Sequence, residues 1–424
     1  MLRKVVALSL LSIALVAGAR KEKEKDAAFA QIDAIVKTLS QITGLSEKHP
    51  VPYGRMSKTE LRKFLNKRIK KTLKPDEIYA DELSLKMFGL VPQDFDLKTS
   101  TIDLLTEQAA AFYDYDEKKL FMLEDSSFSD EMTTLAHELS HALADQYFDL
   151  DKFMEDSPSN DDENLAHTAV VEGQASWLMI AYELATEKTK TDKANPNSSE
   201  PAPLPTPEMV KSVGDGSEAS MADYPILKNS PLYIQESLLF PYSQGTIFFD
   251  AVFKKMGKEA FSAVFKDPPV DSSQIMHPEK YFNHEKPAKP DLPKITSSMK
   301  IKEVTEGTMG EFDHSILLRQ YLGDVKAAQV SGHLLGGQFQ IVELGKLKHP
   351  ILVYASQWDS NSSAAAYFAA YKKVLHSKWK HLDETTNSSD TLKGSGDNGS
   401  FETRLHGDRV TSVEGMPMPV TITY

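Results

Sequence analysis

The chain has 424 residues, 61 acidic and 48 basic, a formal charge of −13 and no cysteine. That length predicts two or three domains, and the acidity argues against nucleic acid or an anionic membrane as a partner. Without thiols a disulfide framework is excluded, and any metal must be held by His, Asp or Glu.

In chain order, residues 1–19 read as a secretory signal peptide. Arg3 and Lys4 give a positive start, residues 5–16 an apolar run, and Ala17-Gly18-Ala19 a small-residue cleavage site. The apolar run is shorter than the ~20 residues a spanning helix needs. Cleavage near Ala19 is therefore expected to leave an exported protein, periplasmic or secreted, that does not associate with a membrane; a retained anchor is the alternative. Residues 20–75 are expected to form a helical N-terminal segment, with one amphipathic helix at 26–43. A second begins at SKTELRKF, where Ser57 and Glu60 make a capping box ahead of an apolar stripe at Leu61, Phe64, Leu65, Ile69 and Leu73. Its cations read as a solvated face, with an inhibitory prosegment or a partner site as the alternative.

Residues 76–290 are expected to be the main domain. A short helix is expected at 82–90 and a hairpin at 109–123, whose apolar arms flank the polar turn 116–119. A helix capped by Ser129 follows, then an acidic loop at 149–164 and a helix at 165–187. Residues 188–220, rich in Lys, Pro, Ser and Asn, are expected to be a flexible insertion. Helical patterning resumes at 241–265, and the Pro/Lys-rich stretch 284–294 marks a boundary. Residues 296–424 read as a small α+β domain, with helices near 312–322 and 362–376 and strands at 337–344, 350–356, 410–415 and 420–424.

The helix after Ser129 carries His137-Glu138-Leu139-Ser140-His141. Residues four apart share a helix face, so His137 and His141 can present two imidazoles to one ion. Glu138 lies about 100° around the helix from His137, able to reach an activated water without ligating the metal. A catalytic zinc site wants a third protein ligand. Glu172, between Val171 and Ala175 in an apolar helix, is favoured, because a carboxylate there is costly to bury unless it is paired or coordinates a metal. His167 competes, and polar residues on an ordinary amphipathic helix are the alternative to a metal site altogether.

These residues resemble the gluzincin clan of zinc metallopeptidases. His137-Glu138-x-x-His141 is the clan's helix motif. Glu172-Gly173-Gln174-Ala175 is similar to the Glu-Gly-x-Ala of its aminopeptidase branch, where the glutamate is the third zinc ligand. Tyr242-Ser243-Gln244-Gly245 looks like that branch's Tyr-x-x-Gly, which opens an apolar helix and stabilises the tetrahedral intermediate; a packed aromatic is the alternative for Tyr242. The hairpin is placed like the clan's edge strand, which pairs with an extended substrate. The resemblance covers roughly residues 105–265, and the wider chain is similar to exported bacterial proteins of this type. It implies an α+β fold with a zincin-like catalytic domain: an active-site helix over a helical lower half, flanked by N-terminal helices and the small C-terminal domain.

The chain departs from the clan in three places. Glu172 lies farther from His141 than in compact members. Ser176 stands where thermolysin-like members carry an aspartate that orients a histidine, leaving Asp145 as a substitute. No Gly-x-Met-Glu-Asn stretch precedes the helix, so an endopeptidase is expected before an aminopeptidase. The expectation is therefore one Zn²⁺ per chain on His137, His141 and Glu172, Glu138 as general base, Tyr242 as oxyanion donor and a peptide or protein as substrate. The alternative is a zinc-binding but inactive protein that works by recognition through its C-terminal domain. His277 and Tyr281 are candidates to close over the cleft or to cap a helix.

Overall fold

The expected hairpin forms as β3 (Ala109–Asp114) and β4 (Lys119–Leu123), and its two faces show why the sequence alternates there. Phe112 and its cross-strand partner Phe121 stack at 5.2 Å, with Phe64 at 5.4 Å from Phe112. Tyr113, one residue on and so on the opposite face, donates its hydroxyl to Asp145 at 2.8 Å. The first face meets α2 (Lys58–Thr72) and the second meets the motif helix α5 (Phe128–Phe148), so the basic helix covers the outside of the sheet. The Ser57–Glu60 capping box is present at its start. The computed structural model describes residues 11–13, 29–124, 128–155, 161–194, 202–220, 224–345, 348–417 and 420–424.

Two further strands complete the sheet, in the order β1-β3-β4-β2. β2 (Tyr53–Met56) adds parallel to β4, and β1 (Leu11–Ile13) antiparallel to β3. β1 falls within the expected signal peptide; the cleavage site at Ala17-Gly18-Ala19 and the side chain of Ser129 lie outside the described residues. Three helices precede β3 along with α2: α1 (Ile32–Thr43), packed against α5, then α3 (Pro75–Phe88) and α4 (Leu97–Gln108). α3 starts earlier than expected, because Pro75 sits in its first turn and the Lys74 N–H donates to Glu77.

Past α5 the structure is more helical than expected. The acidic loop holds a short helix at Leu150–Glu155 and gives way at Asp161 to α6 (Asp161–Ala194). The insertion expected to be flexible is helical at both ends: α6 runs to Ala194, and α7 (Pro207–Ser220) rests on the next long helix. Composition misled here because Pro207 starts a helix rather than interrupting one. The same error recurs at α8 (Leu232–Met256), which has Pro241 in its interior, so Tyr242 does not open the helix but sits in its middle. The turns ahead of Pro241 stay helical because Tyr233, Ile234, Leu238 and Phe240 are buried.

The C-terminal unit is an antiparallel sheet of seven strands, order β6-β7-β8-β12-β11-β10-β9, and with the first sheet makes the chain mixed α+β. β6 (Ile301–Thr308) carries no clear alternation and was not expected; β7 (Leu334–Leu344), β8 (His349–Trp358) and β12 (Arg409–Met416) cover the expected strands. β9 (Leu382–Asn387), β10 (Thr391–Gly396) and β11 (Gly399–His406) complete the sheet. One face holds α9 (Glu311–Leu322) and α10 (Asn361–Lys378); Ile295 and Ile422, from the paired strands β5 (Lys294–Thr296) and β13 (Thr421–Thr423), pack on a smaller apolar cluster of the sheet. A single apolar core runs from Ile32 through α5 and α6 to Val410, joining the two parts.

Candidate metal centre

α5 is buried around its whole circumference from Thr134 to Asp145, the state of a helix central to a core. His137 and His141 lie one above the other with ring centroids 4.7 Å apart. α6 crosses beside them and delivers Glu172, whose Oε2 stands 3.1 Å from His137 Nε2 and 3.5 Å from His141 Nε2. One ligand-capable atom from each of the three lies within 4.8 Å of the others, so the group could hold one metal ion. The fit is supported by atoms that otherwise have nothing to do. His141 Nε2 and Glu172 Oε1 are buried without a hydrogen-bond partner, a costly state that a cation between them would relieve. Burial raises the Glu172 carboxyl, but His141 and His137 outweigh it and hold the group at about 2, the anionic form a cation needs.

His167 is not part of this group. Its ring stacks on Phe153 at 4.5 Å, and its Nδ1 lies 3.3 Å from the Phe153 carbonyl. Burial pulls it down to about 4, so it is a neutral, packed imidazole. Glu138, on the same helix as the two histidines, is fully buried.

Tyr242 arrives from α8, with its ring 6.0 Å from that of His137 and inclined by 29°. What brings α6 and α8 so close is a pair of glycines. A Cβ on Gly173 would stand 2.1 Å from the backbone of Gly245, and one on Gly245 would stand 2.3 Å from the Ala169 carbonyl oxygen. Glycine inside a helix costs roughly 1 kcal/mol relative to alanine. Here it lets two backbones touch one residue after Glu172 and three after Tyr242, which places both side chains beside the histidines. The two tetrapeptides displayed these glycines, but a lone sequence does not say that they meet. Trp177 and Asp250 fasten the same crossing, Nε1 donating to Oδ1 at 3.1 Å.

Other candidates are committed elsewhere. Asp145 accepts from Tyr113, from Lys118 at 2.8 Å and from the Leu150 N–H at 2.8 Å, so it anchors the hairpin to α5 and does not orient a histidine. His277 reaches Glu311 at 2.7 Å, and the Tyr281 hydroxyl donates to the Asp267 carbonyl. Comparison of the chain with family models, with curated proteins and with solved structures returns no match, so the metal group stands on its own geometry.

Proposed function

We propose that this chain is an exported zinc-dependent peptidase of the gluzincin type, built on a zincin-like domain and acting on internal peptide bonds. The observation that carries the reading is the convergence of His137, His141 and Glu172, from two helices, on one buried point with two unpartnered ligand atoms. Two imidazoles and one carboxylate are the donor set of a catalytic zinc site that keeps a fourth position open. A zinc ion held there supplies Lewis acidity, polarising a carbonyl and acidifying water. Glu138 takes the proton of the attacking water and returns it to the leaving amine. The Tyr242 phenol donates to the oxygen on which charge develops, in a site where burial strengthens the interaction. Both hairpin strands are interior in the sheet, with β1 on β3 and β2 on β4, so an extended substrate backbone could lie along β3 only once β1 is removed with the expected signal peptide.

A second reading has its own support. Glu138 and Glu172 are fully buried and His141 nearly so, which also suits a closed zinc site in a protein that works by recognition. The test is cleavage of a diverse peptide mixture by the zinc-loaded mature chain and by its Glu138→Gln variant, read by mass spectrometry. New termini from the parent alone, with equal zinc content in both, are expected. Equal cleavage by both proteins would remove Glu138 from the mechanism, and no cleavage by either would favour the second reading.

A further inference from the structure

We infer that the C-terminal unit sets the position of Tyr242 through helix α9, which makes Tyr233, Phe312 and Asp313 positioning residues; this rests on the reading of Tyr242 given above. The argument begins with Pro241. Proline has no N–H to donate to the carbonyl four residues back, and its ring crowds that carbonyl, so α8 is weakest one residue before Tyr242.

The two halves of α8 are held by different neighbours. After Pro241, Gly245 lies on the Ala169 carbonyl and Asp250 receives Trp177, so α6 grips this half. Before Pro241 the grip comes from α9. The Tyr233 hydroxyl donates to Asp313 Oδ1 at 3.0 Å, Glu236 pairs with Arg319 at 3.0 Å, and Phe240 meets Phe312 edge-on with centroids 4.9 Å apart. Tyr233, Glu236 and Phe240 are spaced i, i+3 and i+7, so they form one face of the helix. Asp313 is itself fixed, because its other oxygen accepts the Gly310 N–H at 3.0 Å.

Phe240 and Tyr242 therefore stand on either side of the proline. A small shift of the C-terminal unit is carried by α9 into the first half of α8 and is absorbed at Pro241, where it turns Tyr242 relative to the histidines. The three metal ligands sit on α5 and α6, not on the hinged helix, and the C-terminal unit meets α6 at Asp162, ten residues before Glu172, so the same shift reaches Tyr242 more directly than it reaches the ligands. Residues 296–424 thereby gain a role: they tune the oxyanion donor.

The test is a double-mutant cycle on the full zinc-loaded chain, using Tyr233→Phe, Tyr242→Phe and both together. Tyr233→Phe removes one hydroxyl and is expected to lower kcat about threefold to tenfold, with KM and zinc content unchanged. It should also speed amide hydrogen exchange at residues 240–245 but not at 137–141. In the Tyr242→Phe background, Tyr233→Phe should have no further effect on kcat, because the residue it acts through is already gone. Equal losses in both backgrounds, or exchange that rises at 137–141 as much as at 240–245, would overturn the inference. Phe312→Leu provides a second variant with the same expected pattern. If Tyr242→Phe alone leaves kcat intact, the proposed role of Tyr242 is what fails, and exchange still reports whether α9 grips α8.

Discussion

Gly173 and Gly245 show how much of this site depends on atoms that are missing by design. Neither residue touches a metal or a substrate, yet each removes a methyl group that would keep α6 and α8 apart. Gly245→Ala is expected to destabilise the chain by about 1–3 kcal/mol, since the added carbon meets backbone that has no rotamer to yield. Denaturant unfolding measures this, and an unchanged midpoint would mean that the helices do not meet there. His167 is the opposite case, a residue whose type drew attention to it as a ligand. Periodicity shows which face a histidine occupies but not whether a phenylalanine such as Phe153 already covers it.

Among the elements, legibility followed how local the cause was. The Ser57 capping box, the hairpin of β3 and β4 and the histidine pair four apart are written within a few adjacent residues, and all three were readable. The parallel addition of β2, the uninterrupted α8 and the placement of α7 depend on partners far along the chain, and none of them was. α7 packs on α8 beside the residue next to Tyr242, so its detachment would offer one route to the candidate metal group. Val210 is the buried residue among its described side chains, and Gly214 approaches Ser243, next to Tyr242. An added Cβ on Gly214 would stand 3.2 Å from the Ser243 Cβ, near the span of a disulfide. The chain has no cysteine to interfere. Gly214→Cys with Ser243→Cys should therefore, once oxidised, slow removal of the metal by a chelator about tenfold, and a reductant should restore the rate. Equal rates in both redox states would show that metal leaves by another route.

At the scale of the whole molecule, the two parts meet at a joint with its own titration. The start of α6, the short helix Ser272–Met276 with its cap Asp271, and the start of α9 bring Asp162, Asp271 and Glu311 together, with His277 and Lys280 as the cations. Burial pushes the Asp271 carboxyl up to about 6, and the hydrogen bond that the His277 ring donates to Glu311 holds that ring above its ordinary value. Both groups bind a proton more tightly folded than unfolded. Asp271 therefore contributes stability that is full below its ordinary carboxyl value and is lost as pH rises to about 6, whereas the contribution of His277 is full below its ordinary imidazole value and is lost as pH rises through its raised value. Asp271→Asn keeps a cap for the Gln274 N–H and should flatten the dependence of melting temperature on pH between about 4 and 6. An unaltered profile would assign that dependence to other groups.

The burial of Glu138, Glu172 and both histidines has a consequence for the life of the protein in its surroundings. Without a cation the chain must hold Glu172 Oε1 and His141 Nε2 away from water with no hydrogen-bond partner, so the binding energy of an ion held there would be in large part folding energy. The folded fraction then follows the concentration of free metal by mass action. If the group holds a metal in the cell, a compartment starved of that metal would lose the protein to proteolysis and one well supplied would keep it, so its abundance would report metal supply.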